Sequence, residues 1–241
     1  MGNSILIVDD LVKRFDGFTA LDGVNVAVEP GERIGLIGPN GSGKSTLVNC
    51  ISGIFPCSSG RILFEGKDIT ALPPHQRSWR GIARTFQIPK PFGTMTTFEN
   101  VCIPVEYSAR KYYRSDEVRS RTCAILDELD LSSKSSEYPG NLTQIDLRKL
   151  ELARAIAMEP KMLIADEVMA GLASAEVDEI VALLVRLAAS GLTIIMIEHI
   201  MRAVMLFSQR LLVLVAGKIA AEGHPNDVVR DPIVLKAYLG E

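Results

Sequence analysis

Residues 38–45 read Gly38-Pro39-Asn40-Gly41-Ser42-Gly43-Lys44-Ser45, a complete G-x-x-x-x-G-K-S loop. This spacing solves one physical problem, holding a polyphosphate and its magnesium ion. The glycines let backbone N–H groups turn inward with no Cβ between them and the phosphates. Lys44 supplies a point charge for the β- and γ-phosphates, and the Ser45 hydroxyl is a metal ligand. The helix that begins around Ser45 and Thr46 points the positive end of its dipole at the anion. Just upstream, Ile34-Gly35-Leu36-Ile37 is the short apolar run expected of a buried parallel strand feeding the loop. Residues Gly38 to Thr46 are therefore read as the site of a nucleotide triphosphate.

A second group of candidates lies more than half a chain away. Met162-Leu163-Ile164-Ala165-Asp166-Glu167 is an apolar run ending in two carboxylates. Carboxylates at the C-terminal edge of a buried strand stand where open α/β sheets bind ligands. Asp166 is placed to hold the magnesium ion through its water shell, and Glu167 to orient or deprotonate an attacking water. Leu192 to His199 repeats the design, a buried strand ending in Glu198-His199. His199 can reach a γ-phosphate with one donor.

Those residues need elements to position them. Strand-like runs occur at Ile5 to Val8, Val24 to Val28, Ile34 to Ile37, Arg61 to Phe64 and Ile82 to Phe86. They return at Met162 to Ala165, Thr193 to Ile197 and Leu211 to Val215. Between the two sets the period becomes helical. Ser115 to Leu131 carries Val118, Cys123, Ile125, Leu126 and Leu129 among charges, and Leu147, Leu150, Ala153 and Ala157 form a second stripe ended by Pro160. A further helix is predicted from about Ala175 to Ala189. The order implies right-handed crossovers, a mostly parallel sheet, and a helical insert within an α/β nucleotide-binding core.

Composition narrows the partners. The chain has 241 residues, 47% of them hydrophobic, and a formal charge of −3, enough for one large domain with no electrostatic reason to bind nucleic acid. A basic run at Arg110-Lys111-Tyr112-Tyr113-Arg114 reads as a solvated helix face. Cys50, Cys57, Cys102 and Cys123 include no C-x-x-C pair, so zinc is not expected and a reducing compartment is. Asp9 and Asp10 stand where a secretion leader would be basic then apolar, and no apolar stretch reaches membrane-spanning length.

Taken together, these motifs resemble the ATP-binding subunits of ABC transporters over essentially the whole chain. The resemblance rests on the phosphate loop, Thr85-Phe86-Gln87, Asp166-Glu167 and His199, in that family's order. It implies an α/β fold: a P-loop NTPase core with a mostly parallel sheet, an antiparallel β subdomain and an inserted helical subdomain. One domain would span 1–241, with 1–87 and 161–241 forming the core and β subdomain and 88–160 the helical part. By the same resemblance Phe15 stacks on adenine, and Gln87 senses magnesium as a ligand and links core to insert. Lys44, Gln87, Glu167 and His199 are the expected catalytic set, with Ser45, Gln87 and Asp166 at Mg2+. Gly81 to Gln87, Met95 to Val101, Ile197 to His199 and Ala237 to Gly240 further resemble the branched-chain amino acid uptake group, first ATPase type. Membership implies ATP hydrolysis, membrane-spanning permease subunits, a second ATP-binding subunit, and a cytoplasmic location on the inner membrane's inner face. The segment Gln87 to Asn100, with Pro89, Pro91 and Phe92, is the expected dock for a permease helix.

The sequence departs from that family at one face. Its signature is typically Leu-Ser-Gly-Gly-Gln, and here the stretch is Leu142-Thr143-Gln144-Ile145-Asp146. Thr143 keeps a hydroxyl for a γ-phosphate, whereas Ile145 replaces a glycine, crowding the approach and resisting unusual dihedrals. Val168 and Ala173 replace a proline and an Asp or Asn. These departures favour a heterodimer over a homodimer. Related members handle urea or lipopolysaccharide, and a nucleotide-gated module with weak hydrolysis is a further alternative. A DNA-organising ATPase would need a long coiled-coil insert, for which there is no room.

Overall fold

The computed structural model describes residues 4–107 and 113–239. In chain order the elements are strands β1 (Leu6–Phe15), β2 (Phe18–Val28) and β3 (Arg33–Ile37), then helix α1 (Lys44–Ser52). Next come β4 (Ser59–Phe64), β5 (Lys67–Asp68), α2 (Pro74–Arg80) and β6 (Ile82–Arg84). Three helices follow, α3 (Thr97–Glu106), α4 (Ser115–Glu128) and α5 (Gln144–Ile156). The chain then alternates through β7 (Met162–Asp166), α6 (Ser174–Ala189), β8 (Thr193–Ile197), α7 (Met201–Phe207) and β9 (Arg210–Val215). It ends with β10 (Lys218–Gly223), α8 (Pro225–Val228) and α9 (Pro232–Leu239).

Two sheets result. One is antiparallel, in the order β2-β1-β4-β5; the other runs β10-β9-β3-β8-β7-β6 and is parallel from β9 to β6. The α/β class and the antiparallel β unit are as expected. The central strands read as unbroken apolar runs because both faces are covered. Alternation still sorts them. Met162, Ile164, Ile195 and Ile197 join the cluster under α1 and the antiparallel sheet. Leu163, Ala165, Ile194 and Met196 join the cluster under α5, α6 and α7.

Several boundaries differ from the sequence reading. β1 runs on to Phe15 and β2 starts at Phe18, both longer than the apolar runs that marked them. β6 stops at Arg84, freeing Thr85 and Phe86 from strand geometry. α4 stops at Glu128, because Asp130 turns with φ 57°. α5 ends at Ile156, four positions before Pro160, and the turn is made by Glu159 at φ 50°. Both helices thus close on a left-handed residue, and α5 does so ahead of Pro160.

Of the basic run at 110–114, residues 110–112 lie outside the described residues. Tyr113 lies under the Arg121 guanidinium and donates to Glu159, so it serves packing. All four cysteines are free thiols, and burial pushes Cys50 up to about 11.

Arg77 on α2 is the largest wholly buried side chain among the described residues. It donates to four carbonyls, those of Leu72, Cys50, Ile51 and Thr70, at 2.6–2.9 Å. Two of these close the last turn of α1, so a cation sits at the negative end of the helix that follows the phosphate loop. Replacing Arg77 by Leu strands those carbonyls. Urea unfolding should register a loss of about 3 kcal/mol or more, and a loss below about 1 kcal/mol would show that water substitutes for the guanidinium.

Candidate functional site

The parallel register puts the C-terminal ends of β3, β8, β7 and β6 along one edge. Leu36 pairs with Ile197, Ile197 with Asp166, and Ile164 with Arg84. The phosphate loop, His199, Asp166-Glu167 and Thr85-Phe86-Gln87 therefore leave the sheet side by side.

The loop is shaped for an anion. A Cβ on Gly38 (φ 152°) would lie 2.1 Å from the Leu214 carbonyl oxygen, and one on Gly43 (φ 106°) 2.7 Å from that of Ala20. Gly43 caps α1 without any side-chain bond, and no acid sits in the first turn. The first N–H groups of that helix are thus left for a phosphate. Ser42 is buried and its hydroxyl has no protein partner. Lys44 is buried, and its ammonium donates to the carbonyls of Gly38 (2.8 Å) and Pro39 (3.0 Å). Burial pulls its pKa below the usual lysine value, opposed by the nearby Glu167 and Asp166 carboxylates. These features fit a polyphosphate.

A cavity of about 290 Å³ opens over the loop. Asn40 to Thr46 line it together with Phe15, Phe18, Glu167 and His199. Phe15 is exposed and packs edge-on to Phe55 at 5.5 Å, with the Lys13 ammonium 4.7 Å from its ring centre. An aromatic ring at the mouth of a phosphate cavity can stack a base.

Glu167 is the hub of the polar groups. Its backbone is left-handed (φ 48°), and its N–H donates to Ile197 O. Gln87 Nε2 donates to its Oε2 at 2.6 Å, while His199 Nε2 lies 3.0 Å from its Oε1. An isolated left-handed non-glycine costs on the order of 1 kcal/mol, and such strain gathers at functional sites. Asp166 is nearly covered, with its N–H bonded to Thr85 Oγ1. Among the described residues no cluster of three or more His, Cys, Asp or Glu could hold a metal unaided.

Residues 21–170 match the family model described as ABC transporter, and residues 218–241 match one described as branched-chain amino acid ATP-binding cassette transporter. The chain belongs to the ABC transporter family. It is 37% identical to the probable branched-chain amino acid transport ATP-binding protein LivG of Archaeoglobus fulgidus, over 98% of this chain and 95% of that one. The high-affinity branched-chain amino acid transport ATP-binding protein BraF of Pseudomonas aeruginosa is 35% identical over the whole of both chains. The fold matches the ADP conformation of an ATP-binding cassette of an ABC transporter, with a TM-score of 0.89, 35% identity, and 99% of each chain covered. A dimeric bacterial ABC transporter cassette matches with a TM-score of 0.82 and 25% identity, over 91% of this chain and 98% of that one. This ABC transporter chain is thus an ATP-binding cassette, the ATPase component of such systems.

Within the cassette, Thr143 does not line the phosphate cavity. It caps α5, accepting from Asp146 N at 3.3 Å and donating to Asp146 Oδ2 at 2.7 Å. The hydroxyl and carboxylate satisfy each other. Ile145 stands in α5 with ordinary helical backbone, half-buried against the core. The expected dihedral strain is therefore absent, since helical φ suits a β-branched residue, and only the bulk of its side chain remains as an obstacle.

Several contributors were given no role in the sequence reading. Arg148 on α5 donates to the backbone oxygens of Gln87 and Ala170, tying the segments after β6 and β7 together. Arg154, two turns on, donates to Lys90 O. Glu151 between them is buried and pushed up by desolvation, opposed by Arg154 and the N–H groups of Lys90 and Phe86. The i, i+3, i+6 spacing of these three could have marked them as one face. Glu198 is buried beside His199 and accepts from Met169 N at 2.9 Å. Burial pushes its carboxyl up as well.

Phe15→Ala should weaken ATP binding on the order of tenfold while leaving inorganic triphosphate unaffected, as read by equilibrium titration. Equal weakening of both would rule out a base-stacking role.

Proposed function

We propose that the chain is the ATP-hydrolysing subunit of a transporter for branched-chain or other amino acids, working beside a second, different ATP-binding subunit. The observation that carries the catalytic part is the Gln87–Glu167–His199 cluster at the mouth of the phosphate loop. Lys44, the N–H groups of Gly41 to Thr46 and the unpartnered Ser42 hydroxyl bind the triphosphate. Glu167 takes the proton of the attacking water, and its two bonds fix which lone pair is free. His199 turns from Glu167 to the γ-phosphate as a donor. Mg2+, held by Ser45, by the amide oxygen of Gln87 and through water by Asp166, would neutralise charge on the phosphates. Two carboxylates beside a polyanion call for such a cation.

The substrate class comes from the names of the relatives, which agree over the whole chain length. A dimer is supported by the dimeric cassette of the same fold. Unlike subunits are supported by the signature segment. Its hydroxyl is engaged by Asp146 and its second helical position carries Ile145, so this chain offers a poor face to a partner's nucleotide. Residues 88–160 would present that face, and 1–87 with 161–241 would hold the chain's own nucleotide. No helix among the described residues is long and apolar enough to cross a membrane. Contact with the cytoplasmic face of an inner membrane would therefore run through permease subunits.

A groove of about 350 Å³ offers the place. Pro74, Ser78, Phe86, Phe92, Arg154 and Met158 line it, while Pro89 and Pro91 do not. Asn100, fully buried, bonds Phe92, Met95 and Thr96 and holds Phe92 at the rim. Exposed aromatic residues around a groove suit an amphipathic helix.

Steady-state Mg-ATP hydrolysis tests the heterodimer reading, with Glu167→Gln as the blank. The chain alone at high concentration should bind ATP yet turn over no faster than the blank. Turnover clearly above it would establish a working homodimer. Phe92→Asp should abolish co-purification with the permease subunits and leave ATP affinity unchanged, and intact co-purification would place the permease elsewhere.

A further inference from the structure

Arg84, the last residue of β6, joins two elements that the magnesium site must hold in register. Its Nη2 donates to Asp166 Oδ2 at 2.7 Å, with both side chains 11% exposed. Its Nη1 donates to Asn49 Oδ1 at 2.6 Å and lies 3.3 Å from Ser52 Oγ. Asn49 and Ser52 belong to α1, the helix whose first turn carries Lys44 and Ser45. The Phe86 ring covers the guanidinium at 5.6 Å.

We propose that Arg84 is a positioning residue, a rigid link that sets the Asp166 carboxylate relative to Ser45 and so creates the magnesium site. The idea rests on the reading of Asp166 and Ser45 as magnesium ligands. Ser45 rides on α1 and Asp166 on β7, and a metal site needs its ligands held to a few tenths of an ångström. The planar guanidinium fork bonds both elements at once, one nitrogen to each. It occupies Oδ2 and leaves Oδ1 for the metal's water shell. Stability alone is a weak reason for such a pair, because the desolvation of two charges offsets most of their attraction. Here the arrangement even leaves Arg84 Nε buried without a partner. A lysine would keep the charge but not the fork.

The test measures affinity for ADP, with the full-length chain, in EDTA and in excess Mg2+. Wild type, Arg84→Lys and Arg84→Gln are compared. Arg84→Lys should bind metal-free ADP within about twofold of wild type, yet lose about tenfold of the increment that Mg2+ adds, in the range found for residues that orient metal ligands. Arg84→Gln should lose at least as much. An undiminished increment in Arg84→Lys would show that only the positive charge matters and would overturn the proposal. Weaker metal-free binding in Arg84→Lys would also overturn it, by showing that Arg84 shapes the phosphate loop itself. A wild-type protein with no magnesium increment would instead remove the metal reading of Asp166.

Discussion

Parallel pairing of β3, β8, β7 and β6 is the constraint from which the site follows. Parallel strands share one C-terminal edge, and their register here is matched to within a residue or two. Four segments far apart in sequence therefore emerge together, each bringing one kind of chemistry. β3 delivers backbone N–H groups and a lysine, β8 a histidine, β7 two carboxylates and β6 a glutamine. The core secures that register twice over. Alternate residues of each strand lock into two different hydrophobic clusters, so a slip by one residue would invert every side chain.

Charge balance explains the polar arrangement at that edge. Lys44 is buried among carbonyls and lowered in pKa, with Asp166 and Glu167 as its charged neighbours. Each carboxylate is then held by other groups: Glu167 by Gln87 and His199, Asp166 by Arg84. Buried polar groups that are bonded in this way keep one geometry, because every alternative leaves a partner stranded. The left-handed backbone of Glu167 is the strain that this network absorbs.

Both α3 and α5 hold the segment after β6, α3 through Asn100 and α5 through its arginines. α5 is capped by Thr143, and its buried face grips the segment after β6 through Arg148, Glu151 and Arg154. Arg148 also holds the segment after β7. A displacement of α5 would thus be felt at Gln87 and beyond Glu167 at once. The exposed groove lies along the same segment, since Phe86, Arg154 and Phe92 line it. The cavity over the phosphate loop and the groove are thus linked through the segment after β6, which α5 holds by hydrogen bonds.

What the sequence determined by itself was the chemistry and the class. The phosphate loop, the carboxylates after an apolar run and the strand–helix alternation are local patterns, fixed by spacing over a few residues. Such patterns survive without knowledge of what packs against them. Tertiary structure decided what depends on residues distant in the chain. Arg84 and Arg148 read as ordinary polar residues of a strand end and a helix, and their hydrogen bonds exist only because α1, β7 and the segments after β6 and β7 converge on them. Element ends were also decided there. Asp130 and Glu159 adopt left-handed turns to close helices that the apolar pattern would have prolonged. Ile145 shows the reverse limit. Read from the signature alone it implied a strained backbone, but the helix cap formed by Thr143 and Asp146 places it in an ordinary helical turn. Local sequence names the groups, and long-range packing sets their distances, because only the fold brings separate segments within reach of a hydrogen bond.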